Sequence, residues 1–124
     1  MFVDTQKILI AGKRPEISKL FELLMQQQQR QFISARRLEE CFDLAIKTVP
    51  DLIIVDCTTT KFSRCYETVV ALKNSSVTAT IPILLIDDPI QRDEDIGKLV
   101  DIVAGVLSEP FNPSEIKKMA GQYL

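Results

Sequence analysis

The sequence predicts an α/β fold, a doubly wound parallel sheet of five strands in the order 2-1-3-4-5, and three observations carry that prediction. Short continuous apolar runs alternate with stretches whose apolar residues recur at helical spacing. The connections are short, and right-handed crossovers between parallel strands leave few topologies open. The third observation is the run Pro50-Asp51-Leu52-Ile53-Ile54-Val55-Asp56, opened by a turn proline and closed by a carboxylate. It is too short for a helix that holds itself, and its β-branched residues favour the extended chain, so it reads as a buried central strand. In open parallel sheets ligands sit beyond the carboxyl ends of the strands, which puts Asp56 at the lip of a site.

Each element follows in order. Lys7 to Ala11 is the first strand, ended by a turn over Gly12 to Pro15. Ile17, Leu20, Phe21 and Leu24 then form the apolar stripe of a first helix, which fades through the solvated glutamines Gln26 to Gln29. Arg30 to Ser34, with Phe32 and Ile33 as its core candidates, is a short strand near the edge. Ser34 is expected to cap a second helix with the stripe Leu38, Cys41, Phe42, Ala45 and Val49, stopped by Pro50. After the central strand comes a polar loop, Cys57 to Arg64, and helical spacing resumes at Cys65, Val69 and Leu72. Ile81 to Ile86 is the fourth strand, with Pro82 near its start, where a strand accepts one. Ile96, Leu99, Val100 and Val103 mark a fourth helix, and Ala104 to Leu107 a short fifth strand. Asn112-Pro113-Ser114-Glu115 is a complete helix start, and Ile116, Met119, Ala120 and Tyr123 give the last helix its buried side.

Composition narrows the function. With 124 residues, 46% of them hydrophobic, the chain is expected to form one domain over 1–124. A formal charge of −2 gives no footprint for nucleic acid or an anionic membrane. Met1 to Lys7 has no signal-peptide pattern, and no apolar run is long enough to span a bilayer, so a cytoplasmic protein is expected. Cys41, Cys57 and Cys65 are an odd number without Cys-x-x-Cys spacing, which argues against disulfides and zinc. The absence of histidine removes Ser-His and Cys-His nucleophiles and His-ligated metals. Residues 11–15 (AGKRP) lack a Gly-rich phosphate loop, so a flavin or nucleotide enzyme is excluded and no enzymatic activity is expected.

The sequence from Lys7 to Leu124 resembles a response-regulator receiver domain, a CheY-like, flavodoxin-like fold. KILI at Lys7, PDLIIVD at Pro50 to Asp56, IPILLI at Ile81 and EPFNPSE at Glu109 to Glu115 carry the likeness, in the family's order and spacing. The resemblance makes Asp56 the phosphoacceptor position of a two-component phosphorelay. The other positions of that chemistry are altered. Gly12 and Lys13 stand where working receivers hold Mg²⁺ with two acids, Asp87 where they carry a hydroxyl residue, and Glu109 where they carry a lysine. Thr59-Thr60 and Ser63-Arg64 replace the loop motifs after the acceptor, and Val106 replaces the switch aromatic.

Magnesium wants hard oxygen ligands in near-octahedral geometry, and without acids at 12 and 13 its anchor is missing. Lys13 is expected to place its ammonium at the vacated position and pair with Asp56, Asp87 or Glu109. Asp87 beside Asp56 would repel a phosphoryl dianion. The expectation is therefore a pseudo-receiver that needs no cofactor and signals through protein contacts. Two alternatives stand beside it. One is a working receiver phosphorylated on Asp56 by a sensor histidine kinase, with Mg²⁺ on Asp56, Asp87, Glu109 and the carbonyl of Thr58. The other is a thiol redox sensor built on Cys57 and Cys65. By analogy with receivers, the contact surface for a partner or a second copy is the fourth helix, fifth strand and fifth helix, with Arg92, Asp93, Asp95, Lys98, Lys117 and Lys118 on it.

Overall fold

The computed structural model describes residues 5–26, 30–58, 60–89 and 97–124. Five strands, β1 (Gln6–Ala11), β2 (Arg30–Ala35), β3 (Leu52–Asp56), β4 (Ile83–Asp87) and β5 (Gly105–Ser108), form one parallel sheet in the order β2-β1-β3-β4-β5. The helices are α1 (Pro15–Leu24), α2 (Leu38–Thr48), α3 (Phe62–Asn74), α4 (Gly97–Val100) and α5 (Pro113–Gly121). This is the flavodoxin-like architecture and strand order that the sequence predicts.

Alternation along each strand divides the core into two layers. Leu9, Ile53, Val55 and Leu85 pack with Cys41, Val69 and Leu72 of α2 and α3. Ile8, Ile54 and Leu84 pack on the other side with Phe21 of α1 and Ile116 of α5. Every residue of β3 and β4 is buried, as expected of strands covered on both faces. Among the described residues, no helix is long and apolar enough to cross a membrane.

The start of α5 follows its sequence signal closely: Asn112 Oδ1 accepts from the Glu115 backbone N–H at 2.9 Å, and Pro113 opens the helix. Other boundaries differ from expectation, the fourth strand among them, which runs over Ile83–Asp87 and so starts after Pro82. Ser34 does not cap α2. It lies in β2 with its hydroxyl hydrogen-bonded to that of Ser18 at 2.6 Å, and Arg37 precedes the helix without a side-chain cap. Val49 is not on the buried stripe of α2. It follows the helix in the left-handed region at φ 45° and is exposed, so the chain turns there before Pro50. The loop after Asp56 is shorter than read, because α3 begins at Phe62. The expected strand of Ala104 to Leu107 lies one residue later, at Gly105–Ser108. Of the fourth-helix stripe, Leu99 is buried and Val100 exposed, Val103 lies beyond α4, and Ile96 is outside the described residues. Gln27 to Gln29 and Thr59 also lie outside them.

The strand order sets the site. It places the carboxyl ends of β1, β3, β4 and β5 side by side, and ladder hydrogen bonds run past those ends. Cys57 N–H donates to Ile86 at 2.9 Å and Glu109 N–H to Asp87 at 2.9 Å. Residues 12, 56, 87 and 109 therefore stand along one rim.

Candidate functional site

Asp56 closes β3 with its side chain almost fully buried, at 1% exposure. A buried carboxylate has to be partnered, and this one accepts from four donors. Arg14 Nε donates to Oδ2 at 2.8 Å and Arg14 Nη2 to Oδ1 at 3.1 Å. The backbone N–H of Thr58 reaches Oδ1 at 3.0 Å and its hydroxyl reaches the same oxygen at 2.6 Å. Arg14 Nη2 also donates to Glu109 Oε1, so a single guanidinium ties the end of β3 to the residue after β5.

Local sequence explains why Arg14 is available. It immediately precedes Pro15, and a residue before proline is pushed out of the helical region; Arg14 is extended at φ −101°, ψ 98°, with α1 starting behind it. Its planar fork then meets the Asp56 carboxylate with two parallel bonds, a geometry an ammonium does not offer. Asp56 and Glu109 together raise the Arg14 pKa above its usual 12.5, the hydrogen bond to Asp56 contributing most and partial burial opposing it.

The cation of this cluster is thus Arg14, and the expectation for Lys13 is corrected. Lys13 is exposed, and among the described residues it forms no ion pair with Asp56, Asp87 or Glu109. The signal for Arg14 was present in the Arg-Pro step, but spacing places a residue on a turn without saying which of two adjacent cations points inward.

Gly12 is packed against Asp56. A β-carbon at position 12 would come within 2.6 Å of the Asp56 β-carbon, so no side chain fits there while β1 and β3 keep their places. Asp87 is buried at the end of β4, and its Oδ1 accepts from Ser108 Oγ at 2.8 Å. Val106 is half-buried in β5 and packs on the α2 and α3 side of the core.

Magnesium, which the resemblance implies for working receivers, does not fit these residues. Position 12 has room for no carboxylate, position 13 presents a cation to solvent, and both Asp56 oxygens accept from Arg14. Among the described residues no group of three Cys, Asp or Glu side chains is placed to hold a metal ion, Asp56, Asp87 and Glu109 included.

The thiols are free. Cys57 and Cys65 are brought together, and the Cys57 pKa is pushed up, first by a hydrogen bond with Cys65 and then by burial. Burial alone pushes Cys41 up to about 12. A thiol kept protonated is a poor nucleophile, which is the opposite of what a redox sensor needs. Of the residues expected on a contact surface, Lys98, Lys117 and Lys118 are exposed on α4 and α5, while Arg92, Asp93 and Asp95 lie outside the described residues.

No family model matches the sequence, and no curated protein matches it. Solved structures do match the fold. The chemotaxis response regulator CheY4 of Vibrio cholerae superposes with a TM-score of 0.80 at 23% identity, covering 97% of this chain and 99% of that one. A response regulator from Desulfuromonas acetoxidans matches with a TM-score of 0.75 at 19% identity, over 94% of each chain. The receiver domain of the sensor histidine kinase PA1611 from Pseudomonas aeruginosa, solved with magnesium coordinated in its active-site cleft, matches with a TM-score of 0.78 at 15% identity, over 96% of this chain and 97% of that one. The chain has the fold of CheY-like receiver domains.

Proposed function

Given that fold, we propose that the chain, over 1–124, is a cytoplasmic receiver-like signalling domain of the pseudo-receiver type, neither an enzyme nor a magnesium-dependent phosphoacceptor. One observation carries the reading: the Arg14 guanidinium engages both carboxylate oxygens of Asp56. Aspartyl phosphorylation needs one of those oxygens as nucleophile and a metal to draw in the phosphoryl group. Here the nucleophile is held by charge-assisted bonds, and a protein cation replaces the ion.

The domain then signals by presenting a surface. Receiver domains generally work by contacts with histidine kinases and other proteins, and the α4, β5 and α5 side, with Lys98, Lys117 and Lys118, is the surface proposed for a partner or a second copy. The charge of these lysines makes such contacts sensitive to salt.

The test is to add Mg²⁺ and beryllofluoride and follow backbone NMR shifts at Asp56, Asp87 and Glu109, with Asp56→Asn as control. The expected result is no specific response from the folded protein. Saturable shifts that vanish in the Asp56→Asn variant would restore phosphorylation on Asp56 as the switch.

A further inference from the structure

Lys13, free of the carboxylate cluster, lines a groove of about 620 Å³ that runs between the β1–α1 turn and the starts of α2 and α3. Lys61 and Arg64 line it with Lys13, against a single acid, Glu39. Arg64 Nη1 donates to Glu39 Oε1 at 2.9 Å, while Lys13 and Lys61 form no ion pair among the described residues. Two uncompensated cations therefore face one concavity, the reverse of the acidic rim beside it.

The wall of the groove also holds a polar atom in want of a partner. Thr60 lines it, and Thr60 Oγ1, closed off from solvent, has no hydrogen-bond partner among the described residues. Native proteins leave few such atoms, and a threonine hydroxyl turned toward the groove can donate to an anion's oxygen. The start of α3 adds to this: Lys61 does not cap the helix with its side chain, and the first turn carries no acid.

A second hollow of about 210 Å³ continues the first, sharing Leu38, Glu39 and Arg64 and extending along Phe42 and Ala71 between α2 and α3. Its floor is apolar, with Leu38, Phe42 and Ala71, while Glu67 and Thr68 also line it; Glu67 does not line the groove that holds Lys13 and Lys61. The combined shape is a basic head joined to a hydrophobic trough, and the larger volume alone is within the range of small-molecule sites.

We propose that this groove binds a small organic phosphate, with the phosphate on Lys13, Lys61 and Thr60 and an apolar body lying on Leu38 and Phe42. Binding needs neither Mg²⁺ nor the Asp56 carboxylate, so it stands apart from the receiver reading.

The experiment is an NMR titration of the full chain at constant ionic strength with phenyl phosphate and, separately, with inorganic phosphate. Phenyl phosphate gives saturable shifts at the amides of Lys13, Thr60 and Arg64 and at the Leu38 methyls, and binds more tightly than inorganic phosphate. Removing both lysines in Lys13→Gln/Lys61→Gln weakens it by about tenfold or more, the loss of charge-assisted bonds at an exposed site. Both lysines are exposed, so the variant keeps its fold, and its unshifted spectrum checks this. Shifts that fail to saturate, or that persist unchanged in the double variant, overturn the site. Equal affinity for the two probes overturns the organic phosphate, because the trough then contributes nothing.

Discussion

The carboxylate cluster at the end of β3 and the basic groove between α2 and α3 lie on either side of one turn, and consecutive residues of that turn serve them. Arg14 turns inward to a buried acid whose two oxygens both have donors, three on Oδ1 and one on Oδ2. Lys13 turns outward to a concavity with spare positive charge and an unpartnered hydroxyl. The first region is internally paired, and the second is open and incomplete. A saturated polar cluster holds a shape, whereas an unsaturated one is what a ligand completes.

The two regions should respond very differently to substitution. The largest effect is expected from Arg14→Ala, which strands the buried Asp56 carboxylate and lowers unfolding free energy in a denaturant titration by about 3 kcal/mol. In the Asp56→Asn background the same change should cost much less, and the double-mutant cycle reads the coupling directly. The Arg14 pKa is raised in the folded state, so its contribution is full below the usual 12.5 and is lost only as pH rises beyond that value. The difference between wild type and Arg14→Ala should therefore stay constant from neutral pH to about pH 10. A difference that shrinks over that range would show that the guanidinium is not what holds the cluster.

Next comes Gly12→Ala, which adds no charge and combines the close approach to Asp56 with a backbone φ of 159° that side chains rarely adopt; about 2 kcal/mol of destabilisation is expected. Thr58→Val removes the hydroxyl bond to Asp56 and keeps the backbone one, for about 1.5 kcal/mol. On the open side, Arg64→Ala breaks an ion pair whose two side chains are more than half exposed, and less than about 1 kcal/mol should be lost. Lys13→Gln should change the unfolding free energy by no more than about 0.5 kcal/mol in the same titration. A Lys13 effect as large as that of Arg14 would erase the distinction between the regions.

Much of this was readable before any coordinates. The runs ending at Ala11, Asp56 and Ile86 could only be buried strands, because their apolar residues are continuous where a half-exposed strand alternates. The start of α5 was legible to the residue, since Asn112, Pro113 and Glu115 each act through a local backbone contact. Ser34 misled for the complementary reason: a cap residue is only a candidate until the chain turns there, and pairing of β2 along β1 carried the strand past it to Ala35. Val49 kept the helical spacing, but a register says nothing about the residue at which the chain leaves the helix. The inward cation was the instructive miss. Family likeness drew attention to position 13, while the side chain long enough and forked enough to serve a buried carboxylate was at 14. Thr60 Oγ1 was beyond reach, because nothing in a sequence marks a hydroxyl that folding will leave without a partner.

The contact between Gly12 and Asp56 imposes an order on any attempt to re-engineer this rim. An acid introduced first at position 12 has nowhere to put its β-carbon, and at that stage Arg14 still grips the acceptor. Removing Arg14 first strands a charge. A designer has to relax the backbone of β1 before touching either residue, because neither single change is accommodated by the rim as it stands.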